Sequence, residues 1–281
     1  MSEVLLGREP DGRPVVIKKI LPDSTSSPEL VAAFAHESSV AIRLRHPNIV
    51  QVFEAGWHEE RPYLVMEWLD GMDLYRLSRK LLARRAQMHP AQALAIAARI
   101  ARALAHAHAL RDDEGRPLGL VHRDVSPHNV FLTKAGEVKL LDFGVSKTYA
   151  IATRSGLLVG KPAYMAPEQI EGLRVDARAD LFALGVVTWE MLTGRSLWER
   201  DTLGATAQAV REDSAAPPSA HAQGVSPGAD ALVLSLLAKF PPGRPPNAAA
   251  VAERLDRLAQ EHGSKDAAFE IAHLVSRFGE S

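Results

Sequence analysis

The stretch DLFALGVVTWEMLTG, residues 180–194, is apolar nearly all the way round and closes on glycine, a residue suited to ending a helix in the left-handed conformation. A helix without a polar face has nothing to offer water, so it belongs in the middle of a domain with other elements around it. A chain of 281 residues, 46% hydrophobic and 24% charged, can supply that surrounding mass as one large core or two unequal ones. The formal charge of -1 creates no global field for nucleic acid or an anionic membrane, so any phosphate binding has to be local. With no cysteine there is no disulfide and no thiolate chemistry, which fits a reducing cytoplasm. No run approaches the roughly 18 to 20 apolar residues of a membrane span, and MSEVLLGREPDG does not read as a signal peptide.

The part of the chain before the long helices has a different texture. RPVVIKKIL (13–21) is short, β-branched and bounded by turn residues, so it reads as a strand, as do HPNIVQVFEAG and RPYLVMEWLDG. Between them lies one helix, with Ser27 as cap and Pro28 at the first position. Leu30, Phe34, Glu37, Ala41 and Leu44 share a stripe of that helix, so the Glu37 carboxylate sits within an apolar face. Beyond Leu69 to Gly71 the pattern turns helical: 90–110, 180–194, near 228–240, 247–261, and a closing amphipathic piece, DAAFEIAHLVSRFG. This divides the chain into a strand-rich unit (1–69), a helical unit (70–262) and a C-terminal helical tail (263–281), an α+β architecture. The Ala/Pro/Ser stretch 214–228 reads as a surface connection.

Two polar interruptions stand out, HRDVSPHNVF at 122–131 and KLLDFG at 139–144. They place Asp124, Asn129 and Asp142 between apolar runs. Any one of these is unremarkable as a turn residue. Together, with VVIK, a helix glutamate, APE, the DxxxxG of the buried helix and a late GRP in the same order, they resemble a eukaryotic-type protein kinase domain of the Ser/Thr kind found in bacteria. The resemblance runs from Val4 to about Leu258.

It implies a two-lobed fold, a small antiparallel sheet lobe with one helix above a larger, mainly α-helical lobe. It also implies transfer of the ATP γ-phosphoryl group to a Ser/Thr hydroxyl of a protein, with Mg²⁺. On this resemblance Asp124 takes the hydroxyl proton, Asp142 ligates the Mg²⁺ that bridges the phosphates, and Asn129 holds a second Mg²⁺. Lys18 pairs with the phosphates and with Glu37. VMEWLDG becomes the hinge that meets adenine. Met66 stands at the back of the pocket, the Glu67 carbonyl and the Leu69 backbone bond the base edge, and Val4, Val16 and Phe131 cover its faces. Arg123 would meet a phosphate on Thr148, Thr153 or Ser155. Glu168 and Arg244 would form a buried ion pair, and Asp180 would cap amides near the catalytic loop. A dimer for trans-autophosphorylation stays open. The APE segment speaks against a small-molecule phosphotransferase.

Two features depart from the pattern. The glycine-rich phosphate loop is absent from this chain as given, so Met1 is expected to be internal to a longer reading frame; a catalytically impaired scaffold is the alternative. Ser126 stands where Ser/Thr kinases usually carry lysine, and Lys161 stands where they carry threonine. This looks like an exchange that returns the ammonium group to the site from the other side, against a Lys161 pointing to solvent. Ser126 also leaves room for a tyrosine acceptor. Two further features invite bland readings: HAH (106–108) puts its histidines on different helix faces, and RKLLARR (79–85) reads as a solvated helix face with docking as the lesser option.

Overall fold

The computed structural model describes residues 2–20, 34, 38–59, 61–143 and 161–279. Four antiparallel strands form the small lobe: β1 (Ser2–Arg8), β2 (Pro14–Ile20), β3 (Val52–His58) and β4 (Arg61–Glu67), in spatial order β1-β2-β4-β3. Val4 lies opposite Lys18, Leu6 opposite Val16, and Val16 opposite Met66. Because side chains alternate along a strand, these residues share one face of the sheet. Phe34, Val52 and Leu64 form the small core on that side, with Ala41 and Met66 packed against it. Residues 38–41 are helical; Glu37 and the earlier part of the expected helix lie outside the described residues.

The chain then enters a second, three-stranded sheet that the sequence reading missed: β5 (Gly71–Asp73), β6 (Val130–Thr133) and β7 (Val138–Leu140). The remaining elements are helices: α1 (Leu74–Ala83), α2 (Pro90–His108), the short α3 (Pro167–Ile170), α4 (Arg178–Thr193), α5 (Leu203–Glu212), α6 (Pro227–Leu236), α7 (Ala248–Glu261) and α8 (Ala267–Gly279). Asp73 caps α1 by accepting from the Arg76 amide, and Asn247 caps α7 from the Ala250 amide.

α4 occupies the centre, as its composition requires. Every residue from Ala179 to Thr193 except Glu190 is buried, and Gly194 closes the helix at φ 66°. At Gly185 a Cβ would come within 2.8 Å of Leu236 Cβ, so glycine is what lets α6 approach. Phe182 stacks on the equally buried Trp198 with ring centroids 5.4 Å apart. Burying side chains of this size contributes roughly 1.5–3 kcal/mol each. Ile271, Leu274, Val275 and Phe278 of α8 belong to the same core. The stretch 214–228 is pinned more firmly than a loose connection: Pro218 is buried and the Ala216 carbonyl accepts from Trp189 Nε1 at 2.8 Å. No helix among the described residues is long and apolar enough to cross a membrane.

The lobes are stitched behind the cleft by the loop before β3. The Leu140 amide donates to the Asn48 carbonyl (2.8 Å), the Val50 amide to the Leu140 carbonyl (3.0 Å), and Asn48 Nδ2 to the Val138 carbonyl (2.9 Å).

Candidate active site

Lys18 arrives on β2 from above. Its side chain is 14% exposed, and its ammonium donates to Asp142 Oδ1 at 2.7 Å across 124 residues of sequence. Asp142 follows β7 at φ 49°, a left-handed conformation that aspartate tolerates better than most residues, and its side chain remains 46% exposed to the cleft. Below it, buried Asn129 donates through Nδ2 to both the Asp124 carboxylate (2.7 Å) and the Asp124 carbonyl (2.8 Å). Asp124 is thus held in one orientation, and the amide oxygen of Asn129 is the atom of that side chain suited to a cation.

The backbone carrying Asp124 is fixed by a second set of residues. Arg123 sits at φ 65°, a strained conformation costing on the order of 1–3 kcal/mol that the surroundings must hold in place. Fully buried Asp180, on α4, does so by accepting from the His122 amide (2.8 Å), the Arg123 amide (2.8 Å) and His108 Nε2 (2.7 Å). Burial alone would raise the Asp180 pKa, but the bond from His108, its charge and the backbone amides outweigh it and hold the carboxyl below its usual value. Gln169 adds a bond from Nε2 to the Arg123 carbonyl.

His122 is wholly buried, and burial lowers its pKa, keeping the ring neutral. One tautomer uses both nitrogens: Nε2–H donates to the Leu141 carbonyl (2.9 Å), and Nδ1 accepts from the Asp124 amide (3.2 Å). Its ring lies 4.6 Å from that of Phe143. One imidazole therefore ties the segment bearing Asp124 to the segment bearing Asp142.

Lys161 does not point to solvent. It is half-buried and its ammonium donates to the buried Ser126 hydroxyl at 3.1 Å, so the two exchanged positions touch. The expected adenine-facing residues gather around the cleft edge. Val16 and Met66 pair in register, Phe131 lies opposite Asp73 on the lower sheet, and Leu69 follows β4 half-buried. Met66, Asp142 and Phe143 line one small apolar cavity. Val4 shares the Lys18 face but is 66% exposed. Glu37, Thr148, Thr153 and Ser155 lie outside the described residues.

Three contributors escaped the sequence reading. Lys139 sits in a strand whose three residues are all buried, and its ammonium donates to both Glu67 oxygens (3.0 and 3.3 Å), joining hinge to lower sheet. A lysine flanked by buried valine and leucine was the signal, since a buried charge demands a partner. His108 reads in the sequence only as one of two histidines on different helix faces, yet it bonds Asp180. Gln169 sits beside Glu168 and gave no signal. Among the described residues no group of three or more His, Cys, Asp or Glu side chains forms a protein-only metal cage.

A small sheet above a helical body, with its acidic and amide side chains gathered where the two meet, defines the two-lobed kinase-like fold. The sequence model of the protein kinase domain matches residues 1–255, and the chain belongs to that family. It is 39% identical over 280 residues to the tyrosine-protein kinase MasK of Myxococcus xanthus, covering 98% of this chain and 43% of that protein. It is 36% identical over 268 residues to the serine/threonine-protein kinase PknB of Mycobacterium tuberculosis, covering 92% and 41%. Among solved structures it resembles the M. tuberculosis PknI kinase domain, with TM-score 0.71 and 28% identity over 92% of this chain and 91% of that one. The chain spans about two fifths of the length of the two curated relatives.

Proposed function

We propose that this chain is the catalytic domain of a protein kinase that moves the γ-phosphoryl group of ATP to a serine or threonine hydroxyl of a protein, in the cytoplasm. The observation that carries the reading is the 2.7 Å contact between Lys18 of the upper sheet and Asp142 of the lower lobe, directly above the Asn129–Asp124 pair. Four polar groups from three separate segments of the chain thus gather between the lobes, where the proposal puts the triphosphate.

The residues fit magnesium. A carboxylate at Asp142 and an amide oxygen at Asn129 are the hard oxygen donors it prefers, and few protein ligands suit an ion that keeps waters and phosphate oxygens for the rest. Held by Asp142 and Asn129, magnesium would supply positive charge to offset that of the phosphates. The chain's own groups do the positioning. Lys18, which bonds Asp142, would hold the phosphates by charge. Asp124, oriented by Asn129, accepts the proton of the attacking hydroxyl. Lys161, anchored on Ser126, adds a positive charge on the acceptor side. The hinge backbone at Glu67 and Leu69 takes the adenine edge, with Val4, Val16, Met66 and Phe131 as apolar walls.

A tyrosine acceptor is the second reading, favoured by Ser126 and by the name of the Myxococcus relative. Labelled ATP with magnesium, offered with peptides carrying serine, threonine or tyrosine, decides among the outcomes. Label on serine or threonine supports the proposal, and label on tyrosine alone supports the second reading. No label on any peptide and none on the chain itself leaves a scaffold. A self-labelling rate that rises with the square of chain concentration would show transfer between two copies.

A further inference from the structure

The basic run RKLLARR lies along a cavity of about 570 Å³ in the large lobe. α1 and the turn after it bring Arg79 and Arg85 to one side; the turn after α4 brings Arg195 to the other. Pro127 of the catalytic loop and Tyr164 line the cavity as well. Arg79 and Arg85 are exposed, and neither guanidinium has a hydrogen-bond or ion-pair partner among the described residues. Arg195 has one long contact, 3.5 Å from Nη1 to His221 Nδ1.

Two carboxylates share the lining, and they are not equivalent. Glu190 is saturated: one oxygen accepts from the Tyr164 hydroxyl (2.8 Å), the other from Ser196 Oγ and the Leu197 amide (both 3.2 Å). Glu199 is exposed. Three arginines from two separate segments therefore face one available carboxylate, and the cavity carries an excess of positive charge in a chain whose total is -1.

Its place relative to the reaction is fixed by the loop. Pro127 is three residues from Asp124, a span of at most about 11 Å when extended. Next to Pro127, the His128 ring lies 4.0 Å from the Tyr75 ring of α1 between centroids, tilted by 43°, which brings α1 up to the catalytic loop. A polypeptide whose hydroxyl rests at Asp124 reaches the cavity within about three or four residues. We infer that the cavity is a subsite for the acceptor polypeptide that takes an Asp or Glu side chain, bound by Arg79, Arg85 and Arg195. This rests on the proposed kinase reading, because it needs an acceptor hydroxyl at Asp124. Solvated arginines alone would need no convergence of two segments on one concavity, and charge of one sign steers and selects a partner of the other.

The test uses two fluorescein-labelled peptides of about twelve residues, each with one threonine, flanked by glutamates in one and glutamines in the other. Binding to the whole chain is read by anisotropy at low salt. The acidic peptide is expected to bind at least about tenfold more tightly, with the preference shrinking as salt rises. In a chain carrying Arg79→Gln, Arg85→Asn and Arg195→Gln it should fall to within about twofold; asparagine suits the left-handed φ of 52° at Arg85. Equal binding of the two peptides by the unaltered chain overturns the inference without any variant, and so does a preference that survives the triple substitution. Binding needs no catalysis, so a chain that prefers the acidic peptide but transfers no phosphate would count against the kinase reading and not against the cavity.

Discussion

Charged groups serve the interior of the large lobe and the cleft between the lobes in opposite ways. In the large lobe Arg244 is sealed, with a side chain 0% exposed, and all five of its N–H donors are used: Nε to the Ala238 carbonyl, Nη1 to Glu168 and the Arg178 carbonyl, Nη2 to Glu168 and the Lys239 carbonyl. Its guanidinium also lies over the Phe182 ring at 4.9 Å. Asp180 is saturated in the same manner. In the cleft, by contrast, the Lys18–Asp142 pair joins a mostly covered lysine to an aspartate still 46% exposed. Groups that hold the fold spend every donor on it. The pair proposed for chemistry remains accessible, through Asp142, to something that arrives from outside.

The sharpest way to break this contrast is to remove the sealed arginine. Arg244→Ala leaves the Glu168 carboxylate buried without its partner and should cost about 3–5 kcal/mol, read as a large drop in the denaturation midpoint. A midpoint within experimental error of the parent would mean that the bonding around Arg244 is ornamental.

Next in size is Glu190, the one residue of α4 between Ala179 and Thr193 that is not among the buried set. Burial lifts its carboxyl pKa to about 7 from 4.5. Because the folded chain then holds the proton more tightly than the unfolded one, the sign is fixed: stability falls as pH rises from about 4.5 through 7. The gap corresponds to at most about 3–4 kcal/mol. Glu190→Gln can keep an oxygen for the Leu197 amide and an N–H for the Tyr164 oxygen. It should therefore unfold with little pH dependence across that window and be the more stable chain at pH 8. Parallel stability curves for the two chains would refute the assignment.

The smallest effect falls in the cleft. Lys161→Met should lower phosphoryl transfer about tenfold, roughly 1.4 kcal/mol, while leaving the denaturation midpoint nearly unchanged. Unchanged turnover would return Lys161 to a purely structural bond with Ser126.

The same contrast explains what could be read from the sequence. Long, strongly patterned elements were legible: α4 from its unbroken apolar run, α2 and α7 from their helical spacing, and β2 to β4 from β-branched runs between turn residues. The short strands β5 and β7, three residues each, carry too little pattern to register. α5, LGATAQAVRE, went unread because Gly and Thr dilute its helical signal. Among the site residues, Asp124, Asn129 and Asp142 stood out as acids and an amide interrupting apolar sequence, whereas Lys18 was legible only through the resemblance that VVIK helps to carry. His108, Lys139 and Gln169 did not, because their meaning lies in partners 46 to 72 residues away: His108 on Asp180, Lys139 on Glu67, Gln169 on Arg123. The Lys161–Ser126 contact was anticipated only as an exchange of residue types; its 3.1 Å geometry belongs to the fold.

The claim that the cleft charges exist for chemistry and not for the fold is tested most directly by Asp142→Ala, with phosphate transfer from labelled ATP and the denaturation midpoint measured on the same preparation. The account predicts loss of transfer by a factor on the order of 10³ or more with the midpoint shifted by no more than about 2 °C. Transfer that persists in the variant, or a collapse in stability comparable to that of Arg244→Ala, would contradict it.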